Sequence, residues 1–125
     1  MSCLILGDSI AVGLSSVIHG CTVIAKVGMS SAWILAHAYG GNFDTVYISS
    51  GSNDPYNPAL YQNVLASRNR YPQARAILIA PVNPHAKEIV HQVAATHGDK
   101  VVDFVPGHDN VHPYSYKALE YKIKN

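Results

Sequence analysis

Three residue types that together can cleave an ester stand at the two ends of this chain. Ser9 sits in Leu6-Gly7-Asp8-Ser9-Ile10, and Asp109 and His112 sit in Gly107-His108-Asp109-Asn110-Val111-His112-Pro113. A serine hydroxyl attacks a carbonyl only when an adjacent base takes its proton. An imidazole does this best when a carboxylate fixes its tautomer. Asp109 and His112 are three residues apart, a spacing that lets a short loop fold one side chain onto the other. His108 adjoins Asp109, and neighbours on an extended loop point apart. His112 is therefore the expected partner.

Acyl chemistry also needs donors where negative charge develops on the carbonyl oxygen. Two loops offer them. Val27-Gly28-Met29-Ser30-Ser31 has a glycine whose N–H a substrate oxygen can approach closely, and Ser50-Gly51-Ser52-Asn53-Asp54-Pro55 carries an uncharged amide donor at Asn53. Each signal has a plainer meaning. Ser9 also reads as a helix cap, Gly28 as a turn residue and Asn53 as the start of an Asx-turn. Asp109 and His112 read equally as unpaired surface groups.

What must position these residues is an alternation of short β-rich runs with helical stretches. Strands are expected at Cys3–Leu6, Thr22–Val27, Thr45–Ser49, Ala76–Ala80 and Val101–Val105. Helices are expected at Ile10–Ile18, Ser31–Ala38, Ala59–Asn69, about His85 to Thr96, and Tyr116–Lys124, with Ser30 and Ser115 as N-caps. Single helices between strands imply βαβ units and a parallel sheet. Ile77-Leu78-Ile79-Ala80 is continuously apolar, as a strand covered on both faces should be. The expected fold is a single-domain, three-layer α/β/α sandwich over residues 1–125, flavodoxin-like, with five parallel strands ordered 2-1-3-4-5. Such sheets bind ligands at the carboxyl ends of their strands, so Ser9, Gly28, Asn53 and the Asp109–His112 loop all fall on the binding edge.

Gly-Asp-Ser near the start, a glycine after the second strand, Gly51-Ser52-Asn53-Asp54, and Asp109-x-x-His112-Pro113 occur in this order. Together they resemble the four blocks of the SGNH (GDSL-like) hydrolases, and they span nearly the whole chain. The resemblance implies an acyl-enzyme esterase needing neither cofactor nor metal. Ser9 would be the nucleophile, His112 the base and then the acid, and Asp109 its orienting partner. The N–H groups of Ser9 and Gly28 and the amide of Asn53 would form the oxyanion hole. Asp8 and Asp54 also match the family pattern and are expected to brace their loops. The chain departs from familiar members in its economy. Only Pro106, Gly107 and His108 separate the fifth strand from Asp109, leaving no segment for a lid. That favours short acyl groups or esters on a large polymer over long-chain lipids. Tyr56 and Tyr114 flank the expected mouth, where they could stack on the ring of an O-acetylated sugar or simply cover the surface.

Composition narrows the partners. The chain has 125 residues, 48% hydrophobic, with a net charge of +1 and nine scattered Lys and Arg, so no basic stripe for nucleic acid emerges. No apolar run approaches the ~18 residues of a membrane span. Met1-Ser2-Cys3 leads directly into the first strand, and Cys3 and Cys21 are too few for a disulfide scaffold. Both are expected as buried free thiols in a reducing, cytoplasmic setting, although each would start one of two neighbouring strands and so lie near the other. The leading expectation is a carboxylic-ester hydrolase acting on a small-molecule or carbohydrate ester. The alternative is a non-catalytic binding module on the same scaffold.

Overall fold

The computed structural model describes residues 2–125. The first strand, β1 (Cys3–Gly7), lies inside the sheet, second from one edge, where Leu4, Ile5 and Leu6 are fully buried. It is followed by α1 (Ser9–Leu14), β2 (Thr22–Ala25), α2 (Ser31–Ala36), β3 (Thr45–Ser49), α3 (Leu60–Asn69), β4 (Arg75–Ile79), α4 (Pro84–His97), β5 (Lys100–Val102) and α5 (Tyr116–Lys124). All strand pairs are parallel and the order is β2-β1-β3-β4-β5. This is the doubly wound sandwich expected from the alternation of strands and helices.

The two-residue period of each strand sends side chains alternately into two cores. Leu4, Leu6, Val46, Ile48 and Leu78 pack with Ile34, Leu60, Val64, Val90 and Val93, so α2, α3 and α4 cover one face. Ile77, Ile79 and Val102 pack with Ile10, Leu14, Leu119 and Ile123, so α1 and α5 cover the other. The apolar run Ile77–Ala80 is buried on both faces. A buried ion pair, Arg68 Nε to Asp99 Oδ2 at 2.6 Å, ties α3 to the turn between α4 and β5. No described helix is long and apolar enough to cross a membrane.

Several expected boundaries move, for local reasons. The first helix ends at Leu14 rather than Ile18, because Ser15 and Ser16 donate their hydroxyls back to the carbonyls of Val12 and Gly13. The second strand stops at Ala25 and the fifth at Val102. Beyond Val102 the chain leaves the ladder: Asp103 meets His91 and Lys122, and the carbonyl of Val105 accepts from the N–H of Tyr114.

The cysteines differ most from expectation. Cys3 and Cys21 form a disulfide, with Cα atoms 4.7 Å apart, and both are only partly buried. The register explains the pairing. Leu4 lies opposite Thr22 in the β1–β2 ladder, so the residues just before them meet at the start of the two strands. Disulfides persist in oxidising surroundings. The cysteines therefore give no support to a reducing compartment.

Candidate active site

Asp8 prepares the position of Ser9. It is the N-cap of α1, with Oδ1 accepting from the N–H of Ile10 at 3.1 Å and from the hydroxyl of Ser49 at 2.9 Å. The carboxylate thus fixes the helix start to the end of β3. Gly7 allows this junction, because a Cβ there would fall on the carbonyl oxygen of Ser49. Ser9 is the first residue of α1, where a backbone N–H has no carbonyl one turn earlier to bond. Asp8 has no exposed surface, and burial pushes its carboxyl up to about 6 despite the hydrogen bonds it accepts. Its Oδ2 is buried without a partner among the described residues.

The loop after β5 closes on itself and returns to Ser9. Pro106 and Pro113 pair across its neck, and the Gly107 N–H donates to the carbonyl of His112 at 2.9 Å. Within it, Asp109 Oδ1 accepts from the N–H groups of Val111 and His112, both at 2.9 Å. Asn110 takes φ 57°, a left-handed conformation that Asn tolerates better than most residues. The outcome is a chain of side chains: Asp109 Oδ2 lies 2.5 Å from His112 Nδ1, and His112 Nε2 lies 2.7 Å from Ser9 Oγ. These bonds to His112 and its loop hold the Asp109 carboxyl far below the ordinary carboxylate range. His108 is exposed and has no bond to Asp109 among the described residues.

One glycine unremarked in the sequence lets this loop reach α1. A Cβ on Gly13 would overlap Cζ of Tyr116, so the hydroxyl end of that ring lies directly on α1 one turn from Ser9. Tyr116 opens α5, four residues after His112. The contact joins the helix carrying Ser9 to the chain carrying His112. A glycine inside a helix was the available signal, since it costs stability unless something needs the space.

The other expected donors stand at neighbouring strand exits. Gly28 has φ 83°, and its position is open, with nothing within 4 Å of where a Cβ would be. Asn53 Nδ2 donates to the carbonyl of Met29 at 2.9 Å, bridging the loops after β2 and β3 and leaving its second amide hydrogen free of that bond. Asp54 braces the start of α2 through the N–H and hydroxyl of Ser31, at 3.0 and 2.6 Å. The two tyrosines part company. Tyr56 stands exposed beside the loop after β4, where its hydroxyl accepts from Asn83 Nδ2 at 3.1 Å. Tyr114 lines a different, apolar groove with Phe104, Val105, Ala118 and Leu119. The structure brings Ser9, His112 and Asp109 together; it does not bring Tyr114 to the cleft beside Tyr56.

No family model matches the sequence. No curated protein matches it either. Among solved structures, the chain is similar to the C-terminal catalytic domain of Streptococcus pneumoniae peptidoglycan O-acetyltransferase A (OatA), determined with a methylsulfonyl adduct. The TM-score is 0.64 over 98% of this chain and 92% of that one, at 17% sequence identity. The likeness shows that the two chains share the doubly wound, five-stranded α/β/α fold.

Proposed function

We propose that this protein is a serine acyl-transfer enzyme that hydrolyses short-chain carboxylic esters, including O-acetyl groups on carbohydrate. The observation that carries the reading is the Asp109–His112–Ser9 chain, with its contacts of 2.5 and 2.7 Å. His112 Nε2 takes the proton of Ser9 as Oγ attacks the acyl carbon, while Asp109 holds the Nδ1–H tautomer. The N–H groups of Ser9 and Gly28 and the free amide hydrogen of Asn53 receive the oxyanion. His112 then returns its proton to the departing alcohol oxygen, leaving an acyl group on Ser9. Water, activated by the same imidazole, releases the acid and restores the serine. None of these steps calls for a metal or cofactor.

A second reading is favoured by one specific likeness: the structural neighbour is an O-acetyltransferase domain. In that reading a sugar hydroxyl replaces water as acceptor in the second half-reaction. Hydrolysis and transfer share the acyl-Ser9 intermediate, so both require the same serine.

The deciding test is labelling with a fluorophosphonate probe beside hydrolysis of p-nitrophenyl acetate. The wild-type protein should be labelled and active, and Ser9→Ala should be neither while keeping its circular dichroism spectrum. Turnover undiminished in folded Ser9→Ala would overturn the proposal. Absent labelling of the wild type would return the chain to the class of binding modules. Partition of the acyl group between water and an added oligosaccharide separates hydrolysis from transfer.

A further inference from the structure

A cleft of about 270 Å³ opens at the exits of β3 and β4, beside the loop that carries His112. Its walls include Ser52 from the loop after β3, Pro81, Val82 and Asn83 from the loop after β4, and Asn110 and Val111 from the His112 loop. Which part of an ester would occupy it follows from the geometry of acyl transfer. In the tetrahedral intermediate the oxyanion points to its donors, and the departing oxygen must face the group that protonates it. That group is His112 in the reading proposed above, on which this inference rests. Asn110 and Val111 immediately precede His112 and Ser52 precedes Asn53, so the cleft stands on the His112 side of Ser9, away from Gly28, which follows β2 at the opposite edge of the sheet.

The lining also limits what can enter. None of the lining residues is charged, so nothing there would compensate a carboxylate or phosphate. Asn83 and Asn110 supply amides, and Ser52 Oγ is a buried hydroxyl with no partner among the described residues. Val82, Val111 and the prolines supply apolar walls. An apolar cavity of about 150 Å³ is enough for one benzene ring. A space of about 270 Å³ is therefore large enough for one substituted six-membered ring. At the rim, Tyr56 is tied to Asn83 through its hydroxyl, and its ring stacks on His85 with centroids 5.5 Å apart. Its other face remains available, since Tyr56 is 72% exposed.

We propose that this cleft seats the alcohol half of the ester, and that the alcohol is a single uncharged pyranose ring, its hydroxyls met by Asn83 and Asn110 and its rim by Tyr56. The test compares two acetate esters that differ only in the alcohol: ethyl acetate, too small to fill the cleft, and a mono-O-acetylated methyl glucopyranoside. Two substitutions preserve the local backbone. Asn83→Ser keeps a helix-capping oxygen at the start of α4, and Asn110→Gly suits the left-handed backbone there.

The glucoside should be the better substrate of the wild type by kcat/KM. Each substitution should lower that preference by roughly tenfold, the scale of one lost hydrogen bond, mainly through KM. An equal kcat/KM for both esters in the wild type, or equal losses on both in the variants, would overturn the assignment. So would a gain on lengthening the acyl group to butyryl that the two substitutions abolish, because the cleft would then hold the acyl chain. Ser9-dependent hydrolysis of ethyl acetate without a sugar preference rejects the cleft assignment alone. If Ser9 is needed for neither ester, the functional reading fails and this assignment fails with it.

Discussion

Asp8 and Asp109 both serve the site, and they are held in opposite ways. Asp8, next to Ser9, has no exposed surface, and burial raises its carboxyl to about 6. Asp109 has a side chain 53% exposed, and hydrogen bonds from its own loop pull its carboxyl far down. The first is part of the sheet's architecture, bonded to Ser49 on β3 across 41 residues of chain. The second is part of a self-contained turn, bonded among the described residues to Val111 and His112. One side of the site is therefore set by the fold as a whole, and the other by local loop chemistry. Substitutions at Asp8 should register in stability, and those at Asp109 in rate.

The strongest effect is expected at Asp109. Asp109→Asn should lower kcat by up to about 10⁴-fold, because an amide can hold the imidazole in the wrong tautomer. The melting temperature should hardly move, since the side chain is half exposed and its bonds are local. His108→Ala should retain most activity. Measuring kcat and thermal unfolding on the same samples checks both halves. A collapse in stability for Asp109→Asn would show that the loop is coupled to the fold after all.

How much of this was legible in the sequence also divides along that line. The strand order followed from alternating elements, and the Asp109–His112 spacing announced its own contact because a loop bond between near neighbours needs no knowledge of the rest. Long-range facts were harder. The disulfide depends on Leu4 facing Thr22, a register that composition and cysteine count do not encode. The orphaned Oδ2 of Asp8 depends on what lies over it, and a Gly-Asp-Ser motif reads the same whether its carboxylate is wet or dry. The contact of Gly13 with Tyr116 joins residues 103 apart, and only a helix-interior glycine hinted at it. Tyr56 and Tyr114 were paired by their closeness to the expected motifs, but they follow different strands and face different grooves.

A smaller effect, on stability, is expected at Asp8. A carboxyl raised from 3.8 to about 6 makes the folded state bind more protons than the unfolded state between those values. Stability from this group is therefore greatest below pH ~4 and is lost as pH rises through about 6. A rise from 3.8 to about 6 corresponds to up to about 3 kcal/mol at neutral pH. Asp8→Asn keeps an oxygen for the Ile10 N–H and removes the ionisation. It should flatten the decline between pH 4 and 7 and leave the variant more stable than wild type at pH 8. Urea unfolding at a series of pH values measures this directly, and parallel curves for the two proteins would show that Asp8 is better solvated than its burial implies.

The smallest effect lies at the seam between the two sides, where Gly13 on α1 meets Tyr116 at the start of α5. Two opposing terms decide the sign of Gly13→Ala. Alanine favours a helix interior over glycine by roughly 0.8–1.0 kcal/mol. Overpacking a fitted contact costs roughly 1–3 kcal/mol. Here the new Cβ would overlap Cζ and the hydroxyl of Tyr116, a rigid end that can give way only if the whole ring swings. Tyr116 is also constrained, since Ser115 caps the helix it begins by accepting from the N–H of Ala118 at 3.1 Å. The clash should win, with a net loss of about 1 kcal/mol. Because Tyr116 follows His112 closely in the chain, relief of the clash should move the loop relative to Ser9 and lower kcat more than KM. Tyr116→Leu placed in the Gly13→Ala background removes the ring that the methyl meets, and should recover stability and kcat together. Thermal unfolding and steady-state kinetics on the two variants decide the point: a Gly13→Ala protein that melts higher than wild type at unchanged kcat would mean that α1 and α5 have room between them, and that the loop finds Ser9 without this contact.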